Sequence, residues 1–360
     1  MRQFRKATIK EVAARSGVST TTVSDFLSGR KNACSPETAE RIRQAVSALH
    51  YTPSSLTRGL RHRTTTTIGV CLLNPLDPDV AFGFFFLERL WRGIMKQADD
   101  ENYSLLHYPH SVRDSTSCAA FLDGRIDGLL LHAHDNARAV PLAAAGMPTV
   151  LLTRSLQLPE GCGAVWADEA QTVRLALEHL WSLGHRRIAH VAGPVGAQET
   201  SGLPADENTG REDIALRRLE GYCAWMRERQ RHDPALIAYA QAWAAPQAAQ
   251  YLQVWRSLAQ PPTAVFCAND AQARDIIAAA QRMGWRVPEE LSVVGVDNSH
   301  EARDCDPPLT SVEVPIDAVG REALRALLRL IQGAPLEQCR VALPVTDLIV
   351  RRSTAVCRAS

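Results

Sequence analysis

No two of the nine cysteines (34, 71, 118, 162, 223, 267, 305, 339 and 357) form a C-x-x-C pair. That absence argues against a zinc site and a disulfide framework and suits a reducing cytoplasm. No apolar run approaches the ~18 residues needed to span a bilayer, and the opening "MRQFRKATIK" has no apolar segment of a secretory signal. The expectation is a cytoplasmic protein with no membrane role. Also missing are a G-x-x-x-x-G-K-[ST] phosphate loop, a G-x-S-x-G nucleophile elbow and a G-x-G-x-x-G turn after a strand. His132, His134 and Asp135 in "HAHD" are the one cluster with metal-like chemistry, and no third ligand accompanies the two imidazoles. The reading is therefore no metal, no cofactor and no enzyme.

Net charge is nearly absent too, with 40 Lys/Arg against 39 Asp/Glu in 360 residues, but the balance is uneven. Residues 1–63 carry 12 Lys/Arg and four acids (Glu11, Asp25, Glu37, Glu40), a surplus of eight positive charges. The remainder carries 28 against 35, a deficit of seven. A small basic head on a larger acidic body is the footprint of a nucleic-acid-binding module joined to a part that avoids DNA. The length calls for two or three packed units.

The head reads as three short helices and a basic linker. Thr8 and Glu11 form a T-x-x-E capping box, opening a helix with Ile9, Val12 and Ala13 on its apolar face. Ser16-Gly17 breaks it, glycine suiting the left-handed backbone of a tight turn. Ser19 caps a second helix that buries Val23, Phe26 and Leu27. Ser35-Pro36 opens a third, with Ala39, Ile42, Val46 and Leu49 in one stripe. Three helices in this order suit a helix-turn-helix. Yet the second helix, "GVSTTTVSDFL", contains no Lys or Arg. Phosphate attraction then falls to Arg2, Arg5, Lys6, Lys10, Arg30, Lys31, Arg58 and Arg61, leaving the helix to read bases. Threonine methyls meet thymine methyls, and threonine hydroxyls bond donors or acceptors. Asp25 has two readings: acceptance from cytosine N4, or an internal pair with Arg15 or Arg30. In "HYTPSSLTRGLRHR" a marginal helical turn with Leu60 between arginines has the composition of a minor-groove wedge.

The run "ATIKEVAARSGVSTTTVSDFLSG … SPETAERIRQAVSALHYTPSSLTRGLRHRTTTTIGV" resembles the lac repressor/galactose repressor family of bacterial transcription regulators. The resemblance implies a homodimer whose second helices lie in successive major grooves of double-stranded, near-palindromic operator DNA, with hinge helices in the minor groove between them. It makes Thr20, Thr21 and Asp25 the base readers and Leu60 the wedge. Thr8, Ser19, Thr22, Ser24, Arg30, Lys31, Ser54, Ser55, Thr57, Arg58 and Arg61 complete the candidate DNA contacts. Asp25 stands where the family commonly has arginine, and Ser54 and Thr57 where it prefers asparagine and alanine.

Beyond the linker, short apolar segments at 66–73, 103–108, 127–133, 148–153, 187–193, 263–270 and 291–297 alternate with helical stretches, the first around Phe84 to Ala98. That order predicts parallel sheets covered by helices in an α/β fold, with a second sheet beginning near residue 187. Ligands of such sheets bind beyond the strands' carboxyl ends, so two facing lobes share a cleft. "EHLWSLGHRRIAHVAGP", "CAND", "LSVVGVDN" and "PPLTSVEVPIDAVGREA" extend the resemblance nearly to the C-terminus. It implies a periplasmic-binding-protein-like body with a cleft effector, and makes His132, Thr153, Arg218, Trp243, Asn269, Asp297 and Ile316 the effector candidates. Arg218 offers paired donors, Asp297 accepts from hydroxyls, Asn269 does both, and Trp243 presents a flat face. Competing structural readings are a surface helix arginine for Arg218, loop capping for Asn269 and Asp297, and a core position for Trp243.

Thr153 stands where the family often has an acid, followed by Arg154. Losing a carboxylate while keeping arginine suits a sugar acid or sugar phosphate rather than a plain sugar. The 194–214 connection, rich in Gly, Asp and Glu, reads as a lid or, preferentially, a disordered excursion. The domain reading is a helix-turn-helix domain at 1–50, a hinge at 51–63, and an effector-binding and dimerisation domain at 64–360. Its N-lobe comprises about 64–166 and 299–330, its C-lobe about 167–298 and 331–352. The expected function is a repressor acting at the nucleoid, its operator affinity controlled by a small polar effector, a sugar or sugar derivative, in the inter-lobe cleft. The alternatives are a co-repressor-dependent regulator and a ligand-binding enzyme without DNA activity.

Overall fold

A computed structural model describes residues 7–27, 30, 33–51, 64–72, 84–108, 118–132, 139–152, 158–195 and 213–357. It divides into two compact units, 1–65 and 66–360.

The head unit contains α1 (Ile9–Ser16), α2 (Thr20–Leu27) and α3 (Pro36–Ala48). The reciprocal cap on α1 is present: the Glu11 N–H donates to Thr8 Oγ1 at 3.3 Å, and Glu11 Oε2 accepts from the Thr8 N–H at 2.7 Å. Gly17 ends the helix at φ 68°, a backbone state that costs other residues strain. Ser19 and Ser35 cap α2 and α3 by accepting from the Thr22 and Thr38 N–H groups. Val12, Ala13, Val23, Ile42 and Ala45 form the core, with Phe26, Leu27, Val46 and Leu49 half-buried around it.

The body is two α/β lobes. The first sheet has the order β11-β5-β4-β3-β1-β2, all parallel. Its strands are β1 (Thr67–Cys71), β2 (Ser104–His107), β3 (Gly128–Leu131), β4 (Thr149–Leu151), β5 (Gly163–Ala167) and β11 (Arg340–Leu343). The second has the order β12-β10-β9-β8-β6-β7. It comprises β6 (Ile188–Ala192), β7 (Ile237–Tyr239), β8 (Ala264–Cys267), β9 (Ser292–Val296), β10 (Thr310–Glu313) and the antiparallel edge β12 (Asp347–Ile349). Helices α4 (Phe84–Glu101), α5 (Ala139–Ala144) and α11 (Ile316–Ile331) accompany the first sheet. Helices α6 (Glu169–Ser182), α7 (Asp213–Glu228), α8 (Ala248–Arg256), α9 (Asp270–Arg282) and the short α10 (His300–Asp304) accompany the second.

Strand alternation assigns each face. In β8, Ala264 and Phe266 pack with α6 and α7 residues such as Val173, Leu177 and Tyr222, while Val265 and Cys267 pack with Leu252, Ile276 and Ile277 of α8 and α9. Both faces are covered, which is why these strands are continuous apolar runs rather than alternating ones.

The lobes are discontinuous in a way that differs from the expected boundaries at 299 and 331. The next strand after β9 stays in the second sheet: β10 pairs with β9, Thr310 opposite Val294. Then α11 returns to the first lobe, and β11 remains there beside β5, Arg340 opposite Ala164. The chain therefore crosses between lobes three times, at 167–169, 313–316 and 343–347. The first and third crossings are tied together by the Asp168 N–H donating to the Leu343 carbonyl at 2.9 Å and the Val345 N–H donating to Gln171 Oε1 at 2.8 Å.

Candidate functional site

In the head, the second helix presents Thr20 and Thr21 as exposed residues on its first turn. Their neighbours are engaged internally. Ser19 Oγ and Thr22 Oγ1 lie 2.9 Å apart, and the Thr8 hydroxyl faces Glu11 Oε2 at 3.0 Å. Ser24 is half-buried. Asp25 is drawn in: its carboxylate is 15% exposed and pairs at 3.4 Å with Arg30, whose side chain is 69% exposed. Of the two readings of Asp25, the free head adopts the internal pair with Arg30. Lys31, Ser54, Ser55, Thr57, Arg58, Leu60 and Arg61 lie outside the described residues.

In the body, Arg218 is the centre. It lies on α7 and is only 4% exposed in its side chain. Its Nε donates to Glu169 Oε2 at 2.6 Å, Nη2 donates to Glu169 Oε1 at 3.2 Å, and Nη1 donates to the Ala268 carbonyl. Asp297 Oδ1 stands 4.0 Å from Nη2. Burial acts to lower the Arg218 pKa, and Glu169, Asp297 and Asp270 outweigh it and hold the group firmly charged. This is not a surface helix arginine.

Asp297 follows β9 at φ 103°, and Asn298 follows at φ 49°, two successive left-handed residues. Such backbone is held only where surroundings over-determine it. Here the Asp297 N–H donates to the Val312 carbonyl at 2.9 Å, the Asn298 N–H to Ser311 Oγ at 2.9 Å, and the Asn298 side chain lies between Glu313 and Arg351. Burial pushes the Asp297 carboxyl up to about 6, with Arg218 opposing and Glu169 reinforcing the rise. Behind it, Asp270 is fully buried and accepts from the Ser299 N–H at 2.7 Å and the Ser311 hydroxyl at 2.6 Å.

Other candidates are placed differently. Asn269 caps α9, accepting from the Gln272 N–H at 2.9 Å, and its amide donates to the Trp243 carbonyl at 2.9 Å. Its polar groups are thus spent on the loop, as the capping reading had it. Trp243 is half-buried over Gly193, beside a cluster containing Ala192, Ala215 and Leu219. His132 is buried at the end of β3, its ring 6.0 Å from that of Phe86. Ile316 is buried at the start of α11. It lines one pocket together with Arg218, Glu169, Phe86, Leu152 and Trp166. Thr153, His134, Asp135 and residues 196–212 fall outside the described residues.

Glu169, Trp166 and Phe86 line this pocket and are not among the candidates that the sequence motifs single out. Glu169 follows the α6 cap Asp168, where an acid reads as a helix-dipole partner. Under the Arg218–Glu169 pair, the His190 ring stacks between Tyr222 (4.8 Å, 22°) and Phe266 (4.9 Å, 19°). Its Nδ1 faces the Phe266 carbonyl at 2.9 Å, which assigns the proton there. Burial first, and then Arg218, lower its pKa to about 4, so the ring adds no charge at neutral pH. Among the described residues no group of three or more His, Cys, Asp or Glu is arranged to hold a metal, and no helix is long and apolar enough to cross a membrane.

Residues 8–54 match the family model described as bacterial regulatory proteins, lacI family, and residues 177–354 match a periplasmic binding protein-like domain. The HTH-type transcriptional repressor CytR of Escherichia coli (strain K12) is 30% identical, covering 98% of both chains. A crystal structure of the lac repressor dimer bound to operator and the anti-inducer ONPF superposes with a TM-score of 0.78 at 25% identity, covering 98% of this chain and 100% of that one. The complex of the transcriptional regulator CelR with cellobiose gives 0.67 at 27% identity over 96% of this chain and 99% of that one. These relatives are transcription regulators.

Proposed function

The chain belongs to the LacI family of bacterial regulatory proteins, DNA-binding regulators of transcription, and on that premise we propose how it works. It acts at the nucleoid as a homodimeric repressor of a near-palindromic operator, released by a small polar effector held between the lobes of the body. The observation that carries this reading is the joining of two devices in one chain. One is a basic head whose second helix exposes uncharged Thr20 and Thr21. The other is a two-lobed body whose cleft holds a buried arginine and a strained aspartate.

Threonines on the exposed turn supply base contacts, while the surplus of positive charge elsewhere in the head supplies phosphate attraction. In the body, three closely spaced crossings let the lobes rotate relative to one another without separating. Effector contacts from Glu169, Arg218 and Asp297 on one lobe and Phe86, Leu152 and Trp166 on the other favour one angle. A differential affinity for two lobe angles shifts their populations, and a coupling of about 1–3 kcal/mol suffices to change operator affinity five- to 150-fold.

The experiment is selection of bound duplexes from a randomised palindromic library, followed by fluorescence anisotropy at two salt concentrations, with and without neutral carbohydrates such as cellobiose. Expected are a symmetric consensus, affinity that falls with salt, and weakening by one carbohydrate. Absence of any sequence preference or salt dependence overturns the reading. Tighter binding with ligand assigns the cleft to a co-repressor instead.

A further inference from the structure

Two carboxylates, Glu169 and Asp297, converge on Arg218 in the cleft, and their signs decide which ligands fit. Glu169 supplies both carboxylate oxygens to Nε and Nη2 of Arg218, at 2.6 and 3.2 Å. This is the two-pronged geometry in which a guanidinium recognises a carboxylate or phosphate. Nη1 is turned to the Ala268 carbonyl. The next acceptor along the fork is Asp297, itself an acid, 4.0 Å from Nη2. Glu169 and Arg218 are both nine-tenths buried, so neither charge is relieved by water.

We propose that Glu169 fills the anion-recognition fork of Arg218 from within, so that the cleft admits neutral, donor-rich ligands and refuses carboxylates and phosphates. The inference rests on the cleft being the effector site and names the class of effector it takes. An incoming anion has two routes. It can expel Glu169 and leave a buried carboxylate without a partner, or it can sit beside Glu169 and Asp297 and meet two like charges. A neutral polyhydroxyl ligand meets neither obstacle. Its hydroxyls donate to Asp297 and to the remaining lone pairs of Glu169, and its apolar face lies on Trp166, Leu152 and Ile316, which line the same pocket. The sequence expectation of an acidic effector rested on the missing carboxylate at Thr153. Here Glu169 brings one in from the other lobe.

The test uses the full chain and acetate, which carries the functional group of Glu169 itself. Thermal melts are recorded for wild type, Glu169→Ala and Glu169→Gln in sodium acetate against sodium chloride of equal ionic strength. Expected is a saturable acetate-specific rise of the melting midpoint in both variants, with apparent affinity at least tenfold above wild type and greater in the alanine variant, which leaves room for the ion. Arg218→Met in either background should abolish the rise. Where the alanine variant does not melt cooperatively, the glutamine variant carries the test. A saturable acetate response in wild type equal to that of the variants overturns the proposal. So does the absence of a response in a variant that melts cooperatively. No operator enters these melts, so they can fail while repression stands, and operator binding can fail while they succeed.

Discussion

Adding one methyl group at Gly93 places a Cβ 2.1 Å from the Asp317 carbonyl oxygen, and adding one at Gly320 places it 2.4 Å from the Leu90 carbonyl oxygen. Both obstacles are backbone, so α4 and α11 must move apart by roughly 0.9 Å and 0.6 Å to restore a 3.0 Å contact. A gap of 0.5–1 Å forfeits a quarter to a half of each dispersion contact across an interface. This one includes the buried Leu90, Ile94, Val319 and Ala323. Overpacking of this kind costs about 1–3 kcal/mol and occasionally more. Alanine returns about 1 kcal/mol of helix propensity. The expected net loss is up to about 2 kcal/mol for Gly93→Ala and slightly less for Gly320→Ala. Gly221 in α7 is the internal control, because its added Cβ meets no backbone, only the Val173 side chain at 3.2–3.5 Å, a far looser approach. Gly221→Ala should stay within about 1 kcal/mol of wild type. Urea unfolding followed by tryptophan fluorescence and circular dichroism gives the midpoints, compared at equal slope. If Gly93→Ala and Gly320→Ala unfold at or above the midpoint of Gly221→Ala, the backbone-contact reasoning is wrong.

The buried Arg218–Glu169 pair predicts a strongly non-additive cycle. Arg218→Met alone should cost about 3–5 kcal/mol by stranding Glu169, whereas Arg218→Met with Glu169→Leu should recover most of it, and simple additivity in urea midpoints refutes the coupling. Asp297 has a folded pKa of about 6 against about 3.9 unfolded, so the fold favours its protonated form. Its contribution is intact below pH 4 and is lost as pH rises through 6. Melts from pH 4 to 8 should therefore show wild type falling relative to Asp297→Asn by on the order of 3 kcal/mol, and parallel curves contradict that sign. In the head, breaking the internal pair with Asp25→Asn should alter affinity alike for all operator variants. A change confined to one base pair in each half-site, read by anisotropy across single-base variants, instead assigns Asp25 to cytosine.

Local chemistry made much of the fold legible. The T-x-x-E box, Ser16-Gly17 and Ser35-Pro36 each encode a boundary within a few residues, and all three appear where the chain places them. The short apolar segments became strands of the two sheets. What escaped were β5, β7, β10, β11 and β12, of which "TSVE" carries one apolar residue and "DLI" is only three residues long and forms a sheet edge. Their strand state comes from pairing with partners far along the chain, which no local pattern records. The same blindness shifted the lobe boundaries, since β10 and β11 decide them. At the site, Arg218 and Asp297 were readable from motifs, while Glu169 was not. An acid after a helix cap has an ordinary local role, and only the approach of α7 gives it another. Asn269 shows the converse, a motif residue whose bonds go to Gln272 and Trp243.

The three lobe crossings also bear on how the protein is made. A ribosome delivers the head first, and its three helices close on one another before the body exists. Neither lobe has that independence. The first sheet lacks an edge strand until Arg340–Leu343 emerges, and the second until Asp347–Ile349 does. Both lobes thus wait for the same last stretch of synthesis, only a few residues apart. A chain stopped at residue 335 loses a strand from each sheet at once. Premature termination before Arg340 should therefore yield a folded head on an unfinished body, rather than a head with one sound lobe.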